Sequence, residues 1–197
     1  MSEFNFNEVV IEEAGSKYFT PGNYVVKTTK VEDGLSSQKQ TPYVKVTVAD
    51  QGGQTCENEY YLSTTVKEGS TKSAMDITAP NLVRLVAAAN NLDINTEDGK
   101  TKAKALIGSF KTPAELAQKL TTLLVGKPFA IHLGGKWVNP TDTTKKSWIK
   151  AEFGSGNFAV PAKDIARLVA NPKIKGENAS ATTPTGTAGI PTATATW

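Results

Sequence analysis

Apolar and polar side chains alternate most clearly at 43–48, a pattern typical of a β-strand that buries one face. Three valines fall on one face of this segment, while Tyr43, Lys45 and Thr47 fall on the other. The valine face is therefore predicted to be buried, and Tyr43 and Lys45 are predicted to point outward.

Two further β-branched segments flank this one and are separated from it by turn residues. The segment 24–31 follows a Thr-Pro-Gly turn and is separated from the central strand by a polar loop at 34–42. The turn at 50–53 leads into a third segment at 55–62. These features predict an antiparallel meander of three strands.

Helical spacing of apolar residues replaces the alternation in the middle of the chain. One helix is predicted after Pro80, which suits a first helical turn. Another is predicted to begin at Thr112-Pro113, with Glu115 in the capping-box position, and to end at Gly126. The polar, Lys-rich segment 93–111 between them is interpreted as a long connection, with some helix around 102–106.

Strand patterns return in the last third of the chain. The segment 128–133 alternates so that Phe129 faces the core and His132 faces outward, and Gly134-Gly135-Lys136 is interpreted as a turn. Another strand is predicted at 147–153, with Trp148 and Lys150 outward. A short strand at 158–160 and a short helix at 164–170 are expected to follow.

Three strands, a helical segment and further strands are the plan of the oligonucleotide-binding (OB) fold, whose helix lies between strands three and four. We predict a mostly β, five-stranded OB-type barrel at 19–172, with helices inserted at 78–126. An acidic segment at 1–18 would precede it. A flexible tail rich in Thr, Ala and Pro is predicted at 173–197, where apolar content is too low to form a core.

Composition narrows the class of protein. The net charge of +3 is too small to imply nucleic acid by itself, but all basic residues except Arg84 and Arg167 are lysines. Lysine favours point contacts to phosphate over bidentate reading of bases, so any DNA binding should be indifferent to sequence.

The sequence also bears on the cellular location. A lone cysteine, Cys56, excludes an internal disulfide, and no export or membrane segment is visible, so a cytoplasmic location is expected.

The sequence offers little catalytic chemistry. Cys56 and His132 are distant in sequence and lack a motif for a nucleophilic pair, and no metal-ligand spacing occurs. Gly134-Gly135-Lys136 lacks the spacing of a phosphate-binding loop. We therefore expect no enzyme activity, no cofactor and no metal.

Aromatic and basic residues interleave on the predicted outer strand faces, and this combination suits single-stranded nucleic acid. Cations follow the phosphate backbone, and flat rings stack on unpaired bases. The candidate DNA-binding residues are Lys27, Tyr43, Lys45, Lys136, Trp137, Lys145, Lys146, Trp148 and Lys150. The alternative is that both tryptophans pack in the core and the lysines form ordinary solvated surface, because a register error of one residue reverses the faces.

Three segments carry a family resemblance: 19–24, 79–85 and 124–131. They resemble phage-encoded single-stranded-DNA-binding proteins of replication modules, in which a Leu-x-Gly-Lys step leads into the fourth strand, as Leu124-Val125-Gly126-Lys127 does here. The resemblance implies protection of single-stranded DNA in phage replication or recombination, in the host cytoplasm. Phage replication or recombination proteins would be further partners.

Many proteins of that kind end in an acidic tail with an aromatic tip that recruits partners. Here Trp197 supplies an aromatic tip, and we consider it a partner-binding candidate, but Glu177 is the only acid in the tail. The acidic amino-terminal segment is a second candidate for this role. The competing hypothesis is a virion structural or assembly protein that uses the barrel and tail for protein contacts; monomer and dimer both stay open.

Overall fold

The computed structural model describes residues 19–138, 148–153, 158–168 and 174–175. Its first three strands are β1 (Gly22–Leu35), β2 (Pro42–Ala49) and β3 (Thr55–Tyr61), paired antiparallel in succession. The predicted meander is confirmed. However, β1 runs through the start of the predicted loop at 34–42.

The turn between β2 and β3 fixes their register. Asp50 accepts a hydrogen bond from the Gln54 backbone N–H at 2.8 Å, and Gly53 adopts a positive φ of 79°. Pairing then proceeds from Ala49 with Thr55 to Tyr43 with Tyr61. The valines at 44, 46 and 48 are fully buried, as the alternation predicts.

Three helices follow β3: α1 (Ala74–Ala89), α2 (Glu97–Ile107) and α3 (Pro113–Leu124). The first begins at a capping box, in which Ser73 accepts from the Asp76 backbone and the Asp76 carboxylate accepts from the Ser73 backbone. Pro80 therefore lies inside α1, and the prediction that it belongs to the first turn is wrong.

The long connection predicted at 93–111 is also wrong, because most of it forms α2, although α2 does include the helix expected around 102–106. Thr96 caps this helix, and Gly108 ends it with a φ of 60°. The prediction for α3 is confirmed: Thr112 accepts from the Glu115 backbone N–H, while Glu115 accepts from the backbone N–H of Lys111.

The remaining strands are β4 (Pro128–Val138), β5 (Trp148–Phe153), β6 (Ala159–Pro161) and β7 (Ile174–Lys175). The glycines at 134 and 135 lie inside β4, so the turn predicted there is wrong. A 3₁₀ helix at Ala162–Arg167 occupies the place of the short helix predicted at 164–170.

The strand order is β3-β2-β1-β4-β5, with β6 antiparallel and β7 parallel to β4. This β-rich architecture is antiparallel apart from β7. In the part of the chain that the structure describes, no ladder joins β3 to β5, so the sheet is open rather than a closed barrel. The two residues of β7 are strand where a flexible tail was predicted. Residues 1–18 and the rest of the tail lie outside the described residues.

The main core lies between the inner face of the sheet and helices α1 and α3. It includes Val46 of β2, Leu85 of α1, Leu120 of α3 and Phe129 of β4. A smaller cluster, formed by Ala130, Val160 and Leu168 with neighbours, covers the other face of β4. His132 is consequently only 7% exposed, and its predicted outward position is wrong. Each helix in the described residues is too short or too polar to cross a membrane.

Candidate nucleic-acid interface

The outer surface of β1, β2 and β3, opposite the buried valines, carries two tyrosines and several charges. We call this surface the tyrosine face. Its residues are Lys30, Glu32, Gly34, Tyr43, Lys45, Thr47, Glu57, Glu59 and Tyr61. Pairing in register across the three strands places these side chains side by side.

Tyr43 and Tyr61 form an edge-to-face pair on this surface, with ring centroids 5.8 Å apart and an interplanar angle of 69°. Tyr43 also lies against Gly34, where a Cβ atom would come within 2.7 Å of the ring. A larger residue at this glycine would displace the ring. Tyr61 donates its hydroxyl proton to Glu59, and this hydrogen bond raises the pKa of Tyr61. Both rings are half-buried, so part of each remains open to solvent.

The sequence prediction found Tyr43 but missed Tyr61. The position of the turn between β2 and β3 was enough to identify Tyr61. A turn at 50–53 that pairs residue 49 with residue 55 also pairs residue 43 with residue 61. Counting outward from the turn would have placed both rings on one face.

Lys45 lies outward as predicted, but carboxylates surround its ammonium group. Its Nζ is 3.7 Å from Glu32 and 3.7 Å from Glu57, and its backbone pairs with that of Glu59. The pKa of Lys45 is raised, mainly by Glu57 and also by Glu32. Lys30 makes a further ion pair with Glu32 at 2.7 Å and lowers the pKa of that carboxyl group. The tyrosine face thus has three carboxylates against two lysines.

An excess of one cation is found instead on the outer face of β4 and β5, where Lys136 and Lys150 accompany Glu152. Lys136 pairs directly with Lys150 across the ladder, and both side chains are exposed. Directly opposed like charges destabilise an antiparallel pair, and a bound anion would relieve this repulsion. We call these two residues the lysine pair. The backbone of Lys175 in β7 lies in register with Lys136 on the opposite edge of β4.

The lysine pair lies on the side of the sheet where β5 approaches β3. The two strands pass close to each other, and the Lys150 charge acts on the Cys56 thiol of β3. Burial is the stronger influence and raises the pKa of Cys56 to about 11, while Lys150 acts in the opposite direction. Lys150 is therefore near the Cys56 end of β3, whereas Tyr61 lies at the other end of that strand.

Trp137 does not share the outer face with Lys136. The strand β4 continues without a turn to Val138, so Trp137 stays in phase with Phe129 and Leu133 on the core side. Its side chain is half-buried, and its indole nitrogen is buried without a hydrogen-bond partner among the described residues. The predicted outward position of Trp137 is therefore wrong, and the predicted turn at 134–136 is the cause.

The other candidates are distributed more widely. Lys27 pairs with Ala49 at the opposite end of the outer face from Tyr43 and is half-buried. The backbone of Trp148 pairs with Val138 in the β4–β5 ladder. Lys145, Lys146 and Trp197 lie outside the described residues.

Burial shifts the pKa values of both the histidine and the cysteine. His132 Nδ1 is 2.7 Å from the Asn23 side-chain oxygen, and burial lowers its pKa. A raised thiol pKa leaves little Cys56 thiolate near neutral pH. Within the described ranges, no three His, Cys, Asp or Glu side chains cluster as a metal site requires.

Comparison with protein-family models yields no match for this chain. A search of curated protein sequences likewise yields no significant relative. The function is therefore inferred from the geometry of the sheet and from the sequence patterns.

Proposed function

We propose that this protein binds single-stranded DNA, without sequence preference, on the outer surface of its sheet. The observation that carries the proposal is the Tyr43–Tyr61 pair, two partly exposed rings held together on neighbouring strands. Rings on a strand surface are suitable platforms for unpaired bases, and each stack contributes ~1 to 3 kcal/mol. Stacking does not depend on base identity. The tyrosine face also has no arginine, the residue best suited to recognising particular bases by paired hydrogen bonds.

The order of elements supports an OB-type barrel as the setting for this surface. The strand order β3-β2-β1-β4-β5, the helices between β3 and β4, and the approach of β5 to β3 are all features of that plan. A long β1 also pairs with β4 through its first half and with β2 through its second. OB folds bind oligonucleotides on the face of strands two and three, where the two tyrosines lie.

The distribution of charge suggests that base stacking and phosphate contacts occur in two different regions of the surface. The lysines of the tyrosine face are held by carboxylates, so we assign base stacking to Tyr43 and Tyr61. Phosphate contacts are assigned to the lysine pair, Lys136 and Lys150, whose mutual repulsion a DNA strand would relieve. Protection of single strands during phage replication or recombination is the role that the sequence resemblance favours.

Fluorescence anisotropy with labelled oligo(dT) tests this proposal. Alanine at Tyr43 or Tyr61 should weaken binding by roughly 5- to 150-fold, the equivalent of one lost stack. Phenylalanine at the same positions is the matched control, because it keeps the ring, and should change the dissociation constant by less than about 2-fold.

Salt dependence tests the assignment of phosphate contacts. Two lysine contacts predict a slope of log K against log salt of about −1.4, and Lys136→Gln should reduce its magnitude by about 0.7. Lys102→Gln, on helix α2, is the control and should leave the slope unchanged. Absence of oligo(dT) binding at low salt would refute the proposed function.

A further inference from the structure

A groove of about 720 Å³ lies between helices α1 and α2, away from the sheet surface described above. Its apolar lining consists of Ala79, Pro80 and Val83 from α1 and Ile94 from the segment before α2. Ile77, one helical turn before Pro80, is 58% exposed and extends the same stripe of α1. An apolar groove of this size with an exposed extension is suited to holding apolar side chains of a peptide segment.

Cations line the same groove. Arg84 lies on α1, and Lys100 and Lys104 lie one turn apart on α2. Lys100 pairs with Glu97 at 2.6 Å, and both lysines lower the pKa of that carboxyl group. Among the described residues that line the groove there are three cations and no carboxylate.

The chain contains one segment whose composition is complementary to this groove. Residues 3–13 carry four glutamates and no lysine or arginine, and their apolar residues include Phe4, Phe6 and Ile11. By contrast, the segment 173–197 has only Glu177 as an acid. We propose that the α1–α2 groove binds the acidic segment 3–13 of the same chain, with its apolar side chains in the groove and its carboxylates beside Arg84, Lys100 and Lys104.

Chain length permits this arrangement. Phe19, which packs against Tyr24, is the first described residue, and ten residues separate it from Glu8. An extended chain of that length spans up to ~35 Å, about the diameter of a domain of this size. The segment can therefore reach α1 and α2 from Phe19.

Zero-length carbodiimide cross-linking of the full chain tests the proposal, because it joins carboxylates to amines only when they are in contact. Peptide mass spectrometry should find the glutamates of 3–13 linked to Lys100 and Lys104 at least about fivefold more often than to Lys102. Lys102 is the matched control. It lies on the same helix but lines a different depression, with Leu92 and Leu106.

A mixture of ¹⁴N- and ¹⁵N-labelled protein identifies the source of the segment. Links within one chain are isotopically pure and support the proposal. Mixed links that approach half of the total in an equimolar mixture, the share that random pairing of chains gives, show that a second copy occupies the groove and overturn the proposal. Equal yields at Lys100, Lys102 and Lys104, or no links from 3–13, overturn it as well.

An Arg84→Gln variant probes the groove without removing a cross-linking amine. We expect it to lower the yield at Lys100 and Lys104 roughly threefold while the yield at Lys102 stays constant. If this variant does not fold, as judged by circular dichroism, Lys104→Gln read out at Lys100 provides the same comparison. An unchanged yield in a folded variant would contradict the role assigned to the cations.

Discussion

Glu57 is one of two carboxylates that hold Lys45, and its replacement by Gln should tighten binding of single-stranded DNA. The Lys45 Nζ lies 3.7 Å from Glu57 and 3.7 Å from Glu32. The Lys45 side chain is only 26% exposed, so its ammonium group remains at this position on the tyrosine face when the carboxylate is removed. Released from Glu57, the same ammonium group can contact a DNA phosphate.

The size of the effect follows from the geometry. An exposed ion pair contributes ~0.2 to 1 kcal/mol, so releasing Lys45 from Glu57 corresponds to roughly a 1.5- to 5-fold lower dissociation constant. The double variant Glu32→Gln/Glu57→Gln removes both ion pairs of Lys45 and also releases Lys30 from Glu32. It should add one or two phosphate contacts, which steepens the slope of log K against log salt by about 0.7 to 1.4 for a single strand.

Anisotropy titrations with oligo(dT) at several salt concentrations measure both quantities. Asp98→Asn is the matched control, because it releases Lys102 from a comparable ion pair of 2.8 Å on helix α2, distant from the sheet surface. It should change neither affinity nor slope. If the double variant leaves both unchanged, or if Asp98→Asn has an equal effect, DNA does not contact Lys45 and the assignment of the tyrosine face is wrong.

Three further predictions concern the scaffold and its titratable groups. Leu120→Ala empties a fully buried site between α3 and the sheet and should lower the free energy of unfolding by about 3 to 5 kcal/mol in urea titrations. Hydrogen bonds from Ser73 lower the pKa of Asp76. The stability that they give is present above the ordinary Asp pKa and is lost as pH falls through the folded-state value. Asp76→Asn should therefore lose less stability than the parent protein between neutral pH and pH ~3. With its pKa raised from 9.0 to about 11, Cys56 should react with a disulfide reagent at pH ~8 roughly a hundredfold more slowly than an ordinary thiol, and a rate near that of free cysteine would contradict its burial.

Sequence patterns correctly predicted the elements that depend on interactions between residues close in the chain. The alternation of 43–48 and the cap at Thr112 predict β2 and α3 because side chains within a few residues determine them. Helix α2 is different, because only Gly99, Ala103 and Ile107 are buried on it, and its other positions are polar except Ala105 and Leu106. Packing against α1 stabilises this helix, and a sequence pattern with so narrow an apolar stripe does not reveal that contact.

The uninterrupted course of β4 is the feature of the candidate site that the sequence prediction missed. Two consecutive glycines favour a turn, but here the ladder continues through them to Val138. That continuation keeps Trp137 on the core side and leaves Lys136 outward as predicted, so the wrongly predicted turn misplaced only Trp137 of these two residues. We therefore propose stacking on Tyr43, which the sequence already suggested, and on Tyr61, rather than on Trp137.

An irregularity in β1 decides which of its charged residues lie on the tyrosine face. Up to Thr28 the register pairs Lys27 with Ala49 and Thr28 with Val48, and its regular continuation would place Glu32 opposite Val44. The bulge between Thr28 and Lys30 shifts the pairing by one residue, so Glu32 pairs with Lys45 instead.

Because a shift of one residue exchanges the two faces of a strand, this bulge moves Lys30 and Glu32 together from the core side to the outer side. No alternation in β1 alone predicts it. Lys45 of β2 is consequently faced by Glu32 of β1 as well as by the glutamates of β3, and the outer surface carries three carboxylates against two lysines. For the same reason, we expect stacking on the tyrosines to contribute more to DNA affinity on this face than phosphate contacts do.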